Sequence, residues 1–213
     1  MPRGISDRSR RGWGPGASAK KEDMVTIQAT GRAEGFRFAL VVSKYHDFIT
    51  DRLQAGALDA LTAAGVAASD ITLVRVPGAF EIPLAAQHAA ESGRFDAVVS
   101  LGCVIRGETP HFDYICSAVA HGLTSASAAT GVPIAFGVLT TNSVEEALAR
   151  AGDGSGNKGR EAAIAAIEMA EVIARLRTEA APDEKRPRPR RAEGEAPATA
   201  RAGGGAPAPV EKS

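Results

Sequence analysis

The stretch DAVVSLGCVIRGETPHFDYI, residues 96–115, passes from a continuous apolar run into a segment that begins like a helix. A run of this kind, rich in β-branched residues, is typical of a strand buried on both faces. Thr109 and Pro110 then supply a capping residue and a proline suited to the first helical turn. The stretch therefore predicts a strand that leads into a helix starting at Pro110, the repeating unit of an α/β fold.

The same alternation extends to both sides of this stretch. Three more apolar runs predict strands, at 36–43, 71–78 and 133–140. Apolar residues at helical spacing predict helices at 50–65, 80–92, 110–130 and 159–177, with Thr50 as the cap of the first. Strands that alternate with helices imply a parallel sheet covered on both faces. We therefore expect an α/β three-layer sandwich with a four-stranded parallel sheet.

The two ends of the chain differ in composition from the middle. Residues 1–34 are rich in Gly, Arg, Ser and Lys, and residues 178–213 contain repeated prolines with Val210 as the one sizeable aliphatic. Such segments bury too little apolar surface to offset the entropy of ordering. We predict a flexible extension at 1–34, one domain at 35–177 and a disordered Pro/Ala/Arg-rich tail at 178–213. The basic KRPRPRR segment of the tail fits an anion or nucleic-acid contact, but a solvated tail is favoured.

Composition also excludes several classes of protein. The formal net charge of +0 argues against nucleic acid or an anionic membrane as the main partner. No apolar run approaches the roughly 18 residues of a membrane span, and no secretory signal is visible at the start. Cys103 and Cys116 lie in apolar runs, and no His/Cys pair has metal-ligand spacing. We expect a cytoplasmic protein without a structural disulfide or a metal.

In parallel sheets, ligands bind beyond the carboxyl ends of the strands, and RGETP follows the strand of 96–105 at that position. The free N–H groups of a helix start would make this turn a site for a phosphate or other anion. His111 comes next, and the positive end of the helix disfavours its charged form. It is therefore expected to be mostly neutral and able to transfer a proton. The alternative is a histidine exposed at a helix start.

Other candidates lie near predicted strand ends. Glu81 could accept hydrogen bonds from a ligand or could complement a helix start, and the local pattern favours the second. Tyr45 and Phe136 could stack on a planar ring or pack in the core. The segment AGDGSGNKG at 151–159 matches G-x-G-x-x-G, but it follows a helix instead of a strand, so it is not a dinucleotide motif. We interpret it as a turn that brings basic residues to an anion, or as a plain linker.

Five segments together resemble one family. SKYHDFIT, VPGAFEIP, LGCVIRGETPHFDYI, GVPIAFGVLTTN and ARAGDGSGNKG occur in the order and spacing of the 6,7-dimethyl-8-ribityllumazine synthases. The resemblance covers roughly residues 36–177 and implies a flavodoxin-like arrangement. It also implies a transferase of riboflavin biosynthesis that condenses 5-amino-6-(D-ribitylamino)uracil with 3,4-dihydroxy-2-butanone 4-phosphate. Phosphate and water are released, and no cofactor or metal is used.

The resemblance further implies roles for individual residues. His111 is expected to transfer protons, and Tyr45 to stack on the pyrimidine ring. His46 stands where the family often has Asn, and it would bring a second titratable group in place of an amide. The remaining implied roles are Ala79, Phe80 and Glu81 at the ribityl side; the backbone of Cys103, Val104 and Ile105 at the uracil; Glu108, Thr109 and Arg150 at the phosphate; Phe136 closing the pocket from a neighbouring subunit; and Lys158 near the ribityl and phosphate groups.

The resemblance also bears on assembly. Family members form pentamers with active sites between subunits, and some build a 60-subunit icosahedral capsid. The short, glycine-rich turn at 151–159 resembles those of the capsid formers, and residues 24–30 are expected to add a strand to a neighbour. Riboflavin synthase is a further partner that the resemblance suggests. Two alternatives remain open: a flavodoxin-like nucleotide-binding module, for which SKYHDFIT is the wrong phosphate loop, and a non-catalytic shell-forming or flavin/lumazine-binding paralogue.

Overall fold

A parallel sheet of four strands forms the centre of the fold, in the order β2 (Ile71–Val76), β1 (Phe38–Ser43), β3 (Ala97–Ile105) and β4 (Ile134–Thr141). The computed structural model describes residues 25–179. The first 24 residues of the predicted extension and residues 180–213 of the predicted tail lie outside the described part. The four predicted strands are all confirmed, each to within two residues at its ends.

Helices cover both faces of the sheet. Helices α1 (Asp47–Ala63) and α5 (Lys158–Glu179) pack together on one face, and α2 (Ile82–Glu91) and α3 (His111–Thr130) on the other. The short helix α4 (Val144–Arg150) follows β4. The predicted three-layer sandwich is thus confirmed. No helix among residues 25–179 is both long and apolar enough to cross a membrane.

Strand β1 shows why the apolar runs lack the alternation of a half-exposed strand. Its six residues are all buried. Phe38, Leu40 and Val42 pack into the core beneath α1 and α5, whereas Ala39 and Val41 pack into the core beneath α2 and α3. Because successive side chains point to opposite faces, a strand covered twice must be apolar throughout.

The connection from β1 to α1 is shorter than predicted. Helix α1 begins at Asp47, directly after His46, which adopts the left-handed conformation with φ 58° and ψ 48°. Thr50 was expected to cap the helix, but it lies inside the first turn, and its buried hydroxyl donates to the Ser43 carbonyl over 2.8 Å. The cap prediction is wrong because the left-handed residue His46 turns the chain four residues before Thr50.

The start of α3 also differs in detail from the prediction. Pro110, with φ −63° and ψ −1°, occupies the capping position, and no side chain makes a capping hydrogen bond there. Thr109 is therefore not the cap, and His111 is the first helical residue instead of the second. The proline ring already sets the backbone angle that begins a helix, so the chain turns without help from the threonine hydroxyl.

Asn157 joins three parts of the fold. Its side-chain amide nitrogen donates to the carbonyl oxygens of Arg52 on α1 (3.1 Å), Ala151 (3.3 Å) and Gly152 (3.0 Å). Its side-chain oxygen accepts from the first turn of α5, at the N–H groups of residues 159 and 160. Asn157 is 4% exposed, so these partners replace water. The predicted interruption at 151–159 is confirmed, and this asparagine is the cap of the helix that follows it.

The N-terminal segment is held on α5 by Glu171. The carboxylate accepts from the N–H and hydroxyl of Thr30 (2.6 and 3.0 Å), from the Gly31 N–H (3.2 Å) and from Arg175 (2.6 Å). Arg175 also donates to the Gln28 carbonyl at 2.9 Å. Burial alone would raise the pKa of Glu171, but these donors outweigh it and hold the pKa below its usual value. The chain before β1 therefore leaves the domain in a defined direction.

Replacing Asn157 tests how much the fold depends on this amide. We expect Asn157→Ala to lower the free energy of unfolding by about 2–4 kcal/mol, because the cap is lost and buried carbonyls lose their donor. Asn157→Asp keeps an accepting oxygen but turns its second carboxylate oxygen toward three carbonyl oxygens in a buried site, so its loss should be at least as large. Denaturant unfolding at fixed protein concentration measures both variants. Equal stability of Asn157→Ala and the wild type would contradict the assigned role.

Candidate active site

A cavity of about 550 Å³ opens beyond the carboxyl ends of β1, β2 and β3. The sheet order reverses direction between β1 and β3, and such switch points form crevices at the ends of parallel strands. The volume falls within the range of small-molecule pockets. Ten of the predicted site residues line the cavity: Tyr45, His46, Ala79, Phe80, Glu81, Cys103, Val104, Ile105, Thr109 and His111.

Strand β3 is longer than its neighbour β1, and this difference exposes backbone to the cavity. Pairing with β1 ends at Leu101, whereas pairing with β4 continues to Ile105. The peptide groups of residues 103–105 of β3 therefore have no strand beside them on the edge where β1 pairs with the earlier part of β3. They line the cavity, where a planar ligand with its own donors and acceptors can satisfy them. The predicted use of backbone at these positions is consistent with this geometry.

Two rings stand together at the end of β1. Tyr45 is 67% exposed, and its ring meets that of His46 edge to face, with centroids 4.5 Å apart. An aromatic face that is exposed at a cavity can stack on a flat ligand. Partial burial lowers the pKa of His46, so this imidazole is mostly neutral at pH 7.

The segment after β2 supplies one wall. Glu81 ends a short 3-10 turn, Ala79–Glu81, and one of its carboxylate oxygens accepts from the Gly78 N–H at 2.9 Å. The helix-start interpretation of Glu81 is therefore correct for this contact, and the residue also lines the cavity. Phe80 beside it is 59% exposed. This wall thus presents one carboxylate beside an exposed aromatic ring.

The turn between β3 and α3 supplies the opposite wall. Gly107, Thr109 and His111 line the cavity, whereas Glu108 lies on the same turn but not among the lining residues. Phe112, the second residue of α3, also lines it. The other lining residues that were not predicted are Gly78, Gly107, Ile115 and Val144.

Three predicted residues lie elsewhere in the chain. Phe136, Arg150 and Lys158 line a second depression of about 390 Å³, along β4 and the start of α5. The two sets of lining residues have no member in common. Arg150 donates to the Glu146 carbonyl at 2.9 Å, and Lys158 pairs with Glu161 at 2.7 Å. Within this chain, the predicted site residues are therefore divided between two half-sites: the cavity of Tyr45 and His111, and the depression of Phe136 and Arg150.

Neither cysteine is placed for nucleophilic chemistry. Burial raises the pKa of Cys103 to about 11, and burial followed by the nearby Asp113 carboxylate raises the pKa of Cys116. Both thiols are free and protonated at neutral pH. Among residues 25–179, no group of three or more His, Cys, Asp or Glu side chains is arranged to hold a metal ion.

Comparison with known proteins agrees with this arrangement. The family model of 6,7-dimethyl-8-ribityllumazine synthase matches residues 35–174. A 6,7-dimethyl-8-ribityllumazine synthase from Desulfatibacillum aliphaticivorans is 49% identical over 151 residues, which is 71% of this chain and 97% of the relative. The chain belongs to the lumazine synthase family. The matched span includes both half-sites, so the division into a cavity and a depression lies within the lumazine synthase domain itself.

The backbone at His46 gives a physical reason why Asn, the residue that the family resemblance leads us to expect there, would suit the position. Asn and Gly adopt left-handed angles at low cost, whereas a β-branched residue at φ 58° is strained. The position thus selects for residues by conformation as well as by contact with a ligand.

We expect His46→Asn to unfold at the wild-type denaturant concentration or above it. His46→Val should lose about 1–2 kcal/mol, since a left-handed backbone costs that much for a residue with a branched Cβ. The same pair of substitutions at the exposed His88, inside helix α2, is the control, because Val and Asn have similar helix propensities. Equal unfolding midpoints for His46→Val and His46→Asn would remove the conformational explanation.

Proposed function

We propose that this chain forms 6,7-dimethyl-8-ribityllumazine from 5-amino-6-(D-ribitylamino)uracil and 3,4-dihydroxy-2-butanone 4-phosphate, with release of phosphate and water. The observation that carries the proposal is the cavity in which an exposed aromatic ring, free strand-end backbone and a helix-start histidine meet. Membership of the family supports riboflavin synthesis as the setting. The reaction transfers a four-carbon unit, so the enzyme is a transferase.

The pyrimidine would bind between Tyr45 and the end of β3. Its flat ring suits stacking on the tyrosine face, and its carbonyl and N–H groups suit the peptide groups of residues 103–105, which continue beyond β1. Its ribityl chain would lie along Ala79–Glu81, where the hydroxyls can reach the Glu81 carboxylate. Orienting the amine in this way lowers the entropic part of the condensation barrier.

The phosphate would bind at the turn before α3. Backbone N–H groups at a helix start and the positive end of the helix attract an anion, and Thr109 adds a hydroxyl. Glu108 lies on the same turn but does not line the cavity, so it would contribute to the phosphate site only through its backbone. His111, the first residue of the helix, would carry the proton between the condensing amine and the leaving phosphate. Imine formation, loss of phosphate and ring closure need no cofactor and no protein nucleophile.

The cationic residues suggest that two subunits complete one site. Arg150 and Lys158 lie with Phe136 in the second depression, apart from the turn that would hold the phosphate. A neighbouring copy could lay this depression over the cavity, with Phe136 closing the pyrimidine site and Arg150 reaching the phosphate. The exposure of Tyr45 and Phe80 at the cavity and of Phe136 at the depression supports such a partner, since exposed apolar surface often marks interfaces.

The same contact between neighbouring copies could also build a larger assembly. A heterologous contact that closes makes a ring, and we propose a pentamer in which Glu171 directs residues 25–30 toward the neighbour. We further propose that twelve such rings form an icosahedral capsid. The protein would be located in the cytoplasm and would contact riboflavin synthase. A non-catalytic flavin- or lumazine-binding paralogue is the second candidate, because the same cavity could bind the product ring without turnover.

The two candidates are separated by mixing the purified protein with both substrates and following lumazine absorbance. We expect turnover above the spontaneous reaction, and His111→Ala should slow it by about 100-fold, the lower end of the range for loss of one proton-transfer group. The matched control is His88→Ala, an exposed histidine on α2. Wild-type rates equal to the uncatalysed background would falsify the enzyme and favour the paralogue.

Mixed assemblies test whether sites are shared between subunits. His111→Ala and Arg150→Ala chains, each of low activity, are unfolded, mixed in equal amounts and reassembled. If one site draws on two neighbours, about a quarter of the sites will contain both wild-type halves and activity will return. No recovery from correctly reassembled mixtures would show that Arg150 serves the cavity of its own subunit.

A further inference from the structure

Arg106 makes an unusually complete set of contacts directly after β3. Its backbone N–H donates to the Thr141 carbonyl at 2.9 Å and continues the ladder with β4. Its guanidinium donates twice to Asp113, over 2.9 and 3.3 Å, and once to the Asn142 side-chain oxygen over 3.3 Å. One face of the group lies 4.2 Å from the centre of the Phe112 ring. Both donor edges and one face of the group are thus occupied.

These contacts argue against a direct role for Arg106 at the phosphate. The planar fork that could bind a phosphate is already paired with a carboxylate, which also balances its charge. Arg106 is not among the residues that line the cavity, but Phe112, which it covers, is one of them. Any effect of Arg106 on the reaction must therefore pass through the groups that it holds.

We propose that Arg106 is a positioning residue that holds the first turn of α3, with His111 and Phe112, against the ends of β3 and β4. The proposal rests on the proposed function for its catalytic consequence. Helix α3 begins at Pro110 without a side-chain capping bond. The ion pair between Arg106 and Asp113 connects the end of β3 to the first turn of α3 across residues 107–109. It thereby holds the helix start, which has no capping side chain.

The same residue is linked to the second half-site. Asn142, which accepts from Arg106, donates its backbone N–H to the Glu146 carboxylate over 3.0 Å. Glu146 lies on α4, and its carbonyl accepts from Arg150 over 2.9 Å. One hydrogen-bonded path therefore connects the turn proposed for phosphate with the arginine proposed to reach the neighbouring site. An exposed ion pair contributes little stability by itself, so the value of this cluster lies in its geometry.

The test compares Arg106→Lys with Arg94→Lys. Lysine keeps the charge but cannot form the planar, two-pronged contact. Arg94 is the matched control, because its guanidinium also lies over an aromatic ring, that of Phe95, at 5.2 Å from the ring centre. It stands at the opposite end of β3, away from the cavity. We expect Arg106→Lys to speed amide exchange in residues 107–116 and to lower kcat about tenfold, as a misplaced reacting group does. The KM for the phosphate substrate should rise more than that for the pyrimidine, and Arg94→Lys should change none of these.

A second variant keeps the test valid if Arg106→Lys assembles poorly. Asp113→Asn removes the paired carboxylate with almost no change in shape, and light scattering checks assembly of both variants. If Arg106 acts through Asp113, the double variant should lose little more activity than either single one, because coupled residues are not additive.

Two results would overturn the proposal: unchanged exchange in residues 107–116, or faster exchange with wild-type kcat and KM. A wild type without activity contradicts the proposed function instead, and the exchange comparison then decides by itself whether Arg106 orders the turn.

Discussion

The arrangement of this protein depends on the length of one strand. β3 lies inside the sheet and pairs with both neighbours, but it extends four residues beyond the end of its pairing with β1. Within the sheet, its peptide groups are satisfied by the ladders on each side. Beyond that point, one edge is open, and a cavity forms there because no strand fills the space. Everything proposed for ligand binding follows from this unequal pairing.

The same strand delivers the next part of the site. Arg106 continues the ladder with β4 for one more residue, and the chain then turns into α3. A helix that starts immediately after a strand end directs its free N–H groups toward the cavity. The turn can be short because Pro110 sets its own backbone angle, and the Arg106–Asp113 pair holds what a capping side chain would otherwise hold. Strand, turn and helix thus form one rigid unit.

The packing on the other face supports a different requirement. Helices α1 and α5 approach so closely that a side chain at Gly56 or Gly159 would collide with Asn157 or with the backbone of Leu53. The buried amide of Asn157 fills this contact and satisfies carbonyls from both α1 and the preceding loop. Of the glycines that resemble a nucleotide motif, Gly159 therefore serves close helix packing. Arg150 and Lys158, at the two ends of this loop, are placed by that packing.

The pattern of residues was enough to predict the α/β class and the four strands, because strands buried on both faces must be apolar. It also placed candidate binding segments at the strand ends, which converge in a parallel sheet. Most individual cavity residues were expected from the resemblance to the family. Only the tertiary structure decided which residues share a cavity. Phe136 lies on the edge strand β4 and Arg150 ends the helix α4 that follows it, and both line a depression separate from the cavity of Tyr45 and His111. The left-handed turn at His46 and the contacts of Arg106 were likewise decided by the fold. They depend on angles and distances between distant residues, which no local pattern of residue types records.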